Sequence, residues 1–310
     1  MPEKPLETIL NRDLEGARAR TVYAAQLACL EDVVNYGTNL IASCFHSSER
    51  TQPDVVLIAV ITKHVVCMID GVSELLRHAC IQAASLQCRT ALEASIYIDW
   101  IVKEDSARRA LHFFVWNLRH EREWAQRIIP GHELHSAFVA SMGDLGGFLS
   151  AAPVDQAKKS AANLDGLLSK QPYAEISAMF DKMRGTRTYD PPWYRPLGVR
   201  SIRHIADDVT RLPEYEVMYN VLSQVAHGTS MNDHVRFSNG KIEFEPIRWL
   251  KEFPWVFRTA LSAAFHTYKT ILSRYRPGQM DEYRRRYLTD WRQPYFDVPI
   301  VKYDVHFQPR

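Results

Sequence analysis

Residues 82–103 read QAASLQCRTALEASIYIDWIVK, a stretch that is apolar almost all the way round a helix. A helix of that kind belongs in the middle of a bundle, because no face of it gains from meeting water. Two of its few charges, Arg89 and Glu93, stand four residues apart and therefore on one face. Burying either charge alone is costly, so they should pair with each other or with polar groups from another helix.

Outward from this stretch, most of the chain keeps a 3.6-residue period. Upstream, 54–103 reads as two helices breaking near 78–82, with Pro53 suited to the first turn. Positions 14–46 read as one earlier helix through Leu27, Leu30, Val34, Leu40 and Ile41. Downstream, 105–128 is a charged amphipathic helix ending at Pro130-Gly131. Residues 132–185 are less regular, with Gly143, Gly146, Gly147 and Pro153 marking turns. The run GTRTYDPPWYRPLG at 185–198 is a loop by composition. Helices are predicted near 199–210 and 213–227, the second opened by Pro213 and closed by Gly228. VRFSNGKIEF at 235–244 is a hairpin whose Asn239-Gly240 turn sets Phe237 opposite Ile242 and Val235 opposite Phe244. Helices near 251–275 and 279–291 follow, then an aromatic, extended tail with Tyr295, Phe296, Ile300, Val301, Tyr303, Val305 and Phe307. Such a tail should lie in a groove or against a strand edge, within the chain in preference to a neighbour. The expected class is all-α, with one small hairpin and an extended C-terminal tail. No linker divides it: 1–230 reads as the main helical domain, and 231–310 as a segment packed on it.

Composition narrows the function classes. An apolar share of 46% and a charged share of 24% over 310 residues are those of a soluble globular protein. A net charge of +2 argues neither for nor against nucleic acid. Cys29, Cys44, Cys67, Cys80 and Cys88 sit in helical, apolar surroundings with no C-x-x-C, and read as buried, reduced thiols of a cytosolic protein. The N-terminus has no apolar leader, and the run VVLIAVI at 55–61 is broken by Thr62-Lys63-His64, so no membrane span is expected. The predicted location is cytoplasmic.

The segment YNVLSQVAHG at 219–228 repays a closer look. Tyr219, Ser223 and His227 recur every four residues, and Tyr215 extends the line, among Val217, Met218, Val221, Leu222 and Val225. A buried hydroxyl or imidazole without a partner costs ~1–3 kcal/mol, so partners must exist. Arg89 and Glu93 are the expected ones, and Arg89, Glu93, Tyr219, Ser223 and His227 are the candidate site residues.

The helix with RTALEASIYIDWI, the following helix with its tryptophans, WYRPLGVRSIRHIADDV and YNVLSQVAHG come in an order and spacing that resemble a bacterial helical family. It is the one known as domain of unknown function 5677. The resemblance runs over about residues 60–230 and rests on Arg89, Glu93, Trp193, Ser201, Ala206, Tyr219, Ser223 and His227. It implies a helical fold without an assigned activity, and leaves the hairpin, last helices and tail outside.

Two function classes follow. The first is an intracellular binding or regulatory protein whose Arg-Glu-Tyr-Ser-His cluster sets the core or a small pocket. The second is a metal-independent ribonuclease of HEPN-like kind in a toxin or phage-defence setting, with His227 as acid or base and Arg89 on a phosphate. The chain departs from that pattern, because Ser223, Leu222 and Val221 stand four to six residues before His227 where an arginine is required. A homo-oligomer and RNA are the partners left open. No cofactor or metal is expected: Glu74 with His78, and His132, Glu133 and His135, lack the spacing of a metal helix and read as surface or capping residues. The line His112, Trp116, His120, Trp124 reads as packed aromatics flanked by solvated Arg119, Arg122 and Arg127. No phosphate-binding glycine loop or nucleophile elbow occurs.

Overall fold

The structure is a computed structural model, and it describes residues 10–47, 53–143, 153–229, 234–238 and 241–303. Gly146, Gly147, the Asn239-Gly240 turn, Val305 and Phe307 lie outside the described residues. Helices α1 (Arg12–Val22) and α2 (Ala24–Ser47) stand where one helix was expected; the chain turns at Tyr23, whose buried ring lies flat on Phe253 with centroids 3.6 Å apart. Next come α3 (Pro53–Arg77) and α4 (Ile81–Lys103), separated by a turn in which Ala79 takes φ +57°. Helices α5 (Ser106–Ile128), α6 (Glu133–Met142), α7 (Val154–Leu168) and α8 (Tyr173–Arg184) follow. After the 185–201 stretch come α9 (Ile202–Asp208), α10 (Leu212–Glu214), a π turn over Tyr215–Tyr219 and α11 (Asn220–Ala226). Strands β1 (Val235–Ser238) and β2 (Lys241–Phe244) pair with Val235 opposite Phe244 and Phe237 opposite Ile242, the register the turn residues require. The chain then runs through α12 (Phe253–Tyr275), α13 (Met280–Arg286), a π turn over Tyr287–Trp291 and α14 (Arg292–Phe296). The class is all-α with one hairpin.

The helices fall into two units. The first comprises residues 1–51, 58–104 and 202–310, the second 52–57 and 105–201. In the first, α4 packs along α12 through small residues: Ala84, Cys88, Ala91 and Ser95 face Val256, Ala260, Ala263 and Ala264, all buried. Two α4 side chains donate to the α12 backbone, Cys88 to the Val256 carbonyl and Ser95 to that of Ala263 at 3.2 Å. Gly37 on α2 is required by close approach, since the Tyr268 hydroxyl occupies the space where a Cβ would sit. Around it Tyr36, Phe265, Tyr283 and the fully buried Trp291 form an aromatic cluster, and the indole N–H of Trp291 donates to Asp32 at 2.7 Å. The tail closes on the same unit. Gln26 donates to the Asp297 carbonyl at 3.0 Å, and Tyr303 accepts from the Leu250 amide and donates to Glu15.

The second unit is built around α5, and here one expectation fails. Arg119 is not solvated: its side chain is 1% exposed and is held by Asp190 (2.6 Å), Asp181 (2.7 Å) and Ser177 (2.7 Å). It stands seven residues after the buried His112 and four after the buried Val115, so it shares their inward face. The aromatic line packs as expected at Trp116, whose N–H reaches the Pro191 carbonyl, while Trp124 is half exposed beneath Arg127.

Two further readings change. Cys67 is exposed and Cys80 half-buried, because each falls on the outward side of its turn; Cys29, Cys44 and Cys88 are buried, and none of the five is in a disulfide. Helix α3 runs straight through Thr62-Lys63-His64 and is long and apolar enough to cross a membrane; half of that apolar window is buried in the structure, and Lys63, His64 and Asp70 lie exposed.

Candidate functional site

The helix pair that matters most is α4 with the segment from α9 to α11. The two run antiparallel in the first unit, and polar side chains tie them along nearly their whole length.

At one end stands the cluster predicted from sequence. Arg89 donates from Nε to Ser223 Oγ at 3.1 Å and from Nη2 to the Tyr219 hydroxyl at 2.8 Å. That hydroxyl donates onward to Glu93 Oε2 at 3.2 Å, and Tyr97 donates to Glu93 Oε1 at 2.9 Å. Arg89 and Glu93 themselves approach to 4.0 Å, their side chains 27% and 29% exposed. The guanidinium lies over the Tyr219 ring, and the Tyr215 ring stacks on Tyr219 with centroids 4.6 Å apart. Four of the five expected residues therefore meet. Burial and the neighbouring Glu93 push the Tyr219 phenol up to about 12, although Arg89 pulls the other way.

His227 does not join them. It caps the C-terminus of α11, is exposed, and makes no side-chain hydrogen bond among the described residues. The antiparallel pairing explains this: Tyr219 meets Arg89 and Glu93, Ser223 meets Arg89, and one more turn runs past them. A regular helix over 213–227 is also corrected. The π turn at Tyr215–Tyr219 inserts a wider turn just where the two tyrosines stack, a feature that recurs at functional sites.

At the other end lies a set the sequence reading missed. Arg211, 5% exposed, donates from Nη1 to Ser95 Oγ (2.8 Å) and Asp99 Oδ2 (2.7 Å) and from Nε to Glu214 Oε2 (2.5 Å). Ser262 donates to the other oxygen of Glu214, and Thr270 to the other oxygen of Asp99. Burial alone would weaken both charges. Arg211 nevertheless holds Glu214 below the usual carboxylate range, and Glu214 with Asp99 holds Arg211 above the usual guanidinium range. Beyond them Asp208 accepts from the Trp100 indole at 2.9 Å and from Lys103 Nζ at 2.7 Å.

The seam falls inside the region that identifies the chain. The sequence model of a family of unknown function, DUF5677, matches residues 56–242. The chain belongs to this family. The DUF5677 region takes in α3 to β1 and the start of β2, so most of the hairpin lies within it and not outside as expected from the resemblance. Every α4 and α9–α11 residue of the seam is inside; only the α12 supports, Ser262 and Thr270, are not. No curated protein and no solved structure matches the chain.

The other sequence candidates are placed elsewhere. His132 caps α6, accepting from the Leu134 amide, and His135 bonds the Arg127 carbonyl. Glu74 lies 3.8 Å from Arg77. Among the described residues no three of His, Cys, Asp and Glu converge as metal ligands.

Proposed function

We propose that this is an intracellular binding protein that recognises an acidic group on its ligand through the Arg89 end of the seam, without cleaving it. The observation that carries this reading is the state of the donors there. Arg89 is clamped by Ser223 and Tyr219, yet its Nη1 meets no acceptor among the described residues. The Ser223 hydroxyl accepts from Arg89 and likewise has no acceptor of its own among them. Two oriented donors, one of them on a quarter-exposed cation, suit a carboxylate or phosphate oxygen. Because neighbours already hold the guanidinium, little side-chain freedom is lost on binding.

Cleavage makes a further demand, a proton-transfer group within hydrogen-bond reach of the reacting atoms. His227 stands beyond the cluster, and the Tyr219 proton, held with a pKa of about 12, is a poor acid at neutral pH. Both favour binding over the ribonuclease reading.

The test has two arms. A labelled single-stranded RNA incubated with wild type should stay intact, and a poly-glutamate peptide should raise the thermal midpoint of wild type more than that of Arg89→Ala. RNA cleavage that disappears in His227→Ala would put the ribonuclease in place of the binding protein.

A further inference from the structure

A cavity of about 650 Å³ opens in the first unit at the Arg211 end of the seam. That volume is ample for a small metabolite. Its walls come from three segments: Asp99, Val102 and Lys103 at the end of α4, residues 208–211 from the last residue of α9 onward, and one side of α12. On α12 the lining residues are His266, Lys269, Thr270, Ser273 and Arg274, spaced three and four apart along an otherwise buried helix.

The charges there are unequal. Four cations, Lys103, Arg211, Lys269 and Arg274, line the cavity against two carboxylates, Asp99 and Asp208. Both carboxylates are already engaged, Asp208 by Lys103 and Asp99 by Arg211. Glu214, outside the lining, takes the Nε of Arg211. Lys269 and Arg274 are exposed and make no ion pair among the described residues. The buried Nη2 of Arg211 also lacks a partner among them. A wall with unpaired cations at the two edges of the α12 lining, the Ser273 hydroxyl between them, and apolar Val102 and Val209 suits a small body bearing strong negative charge. The backbone is strained at the same place, since Thr210 takes φ +59°, a conformation β-branched residues rarely adopt.

We infer that this cavity binds a small molecule carrying more than one phosphate, with Lys269 and Arg274 as its main anion contacts and Lys103 at the rim. Two cations more than one turn apart on α12 favour separated negative groups over a single carboxylate. The site uses none of the residues of the Arg89 cluster and stands whether or not that cluster binds a ligand.

The experiment is calorimetric titration of the full chain with inorganic pyrophosphate at fixed ionic strength, with sodium acetate as the weak-anion control. Wild type should bind pyrophosphate saturably at one site and acetate not at all. Lys269→Glu and Arg274→Glu should each weaken pyrophosphate by about tenfold or more. Arg285→Glu, the same charge change at an exposed position on α13, should bind like wild type. Absence of saturable binding overturns the inference. So does equal weakening by Arg285→Glu, which would mean attraction by net charge alone, and so does binding that both cavity reversals leave intact.

Discussion

Arg211 and Arg89 reach across the same helix seam, yet they live in different solvents. Arg211 is 5% exposed and has two carboxylates and a serine within hydrogen-bond distance, while Arg89 is 27% exposed and is held mainly by neutral hydroxyls. In a low-dielectric setting a charge needs full compensation, and removing one partner leaves the others stranded. At the half-open end water can take over a lost bond, so the same side chain is free to serve a ligand. One seam thus has a locked end and an open one.

The largest expected effect breaks the locked end. Arg211→Met should cost ~3–5 kcal/mol, because Asp99 and Glu214 are left buried without their cation; denaturant unfolding reads it, and a loss near zero would mean water fills the gap. Arg119→Met in the second unit should cost a similar ~3–5 kcal/mol, which would tie the effect to burial and not to the seam. Arg89→Met should cost less, ~1–2 kcal/mol, as two hydrogen bonds of a partly solvated charge disappear.

A pH series sharpens the contrast further. The Tyr219 phenol is raised to about 12 from an ordinary value of 10, so its contribution is complete below about pH 10 and is lost as pH climbs towards 12. The difference in stability between wild type and Tyr219→Phe should therefore shrink over that window; a difference that stays flat would mean that burial and Glu93 do not raise the phenol. Smallest of all is His227→Ala, expected to stay within ~0.5 kcal/mol because the exposed ring has no side-chain hydrogen bond among the described residues.

How much of this could be read from sequence follows the same division. Arg89 and Glu93 announced themselves as the paired charges of an apolar helix, and the four-residue step of Tyr219 and Ser223 named their partners. The central place of α4, the hairpin register and the class were legible for the same reason, since periodicity and turn chemistry are local; that α12 is the helix packed along α4 was not. Arg211 was not, because it sits in the loop-like RLPEY, where an arginine ordinarily meets water. Its burial depends on a left-handed Thr210 and on the docking of α4, neither of which leaves a local trace. Arg119 was missed likewise, as its acceptors come from residues 58 to 71 positions away. His227 was overread: a step of four continues a stripe along one helix, but the antiparallel partner has moved on.

The most direct test of the locked and open ends is the coupling energy across each, from double-mutant cycles read by urea unfolding. The cycle of Arg211→Met with Asp99→Asn should give ~2–3 kcal/mol, and that of Arg89→Met with Tyr219→Phe under ~1 kcal/mol. Equal couplings, or a larger one at Arg89, would contradict the account.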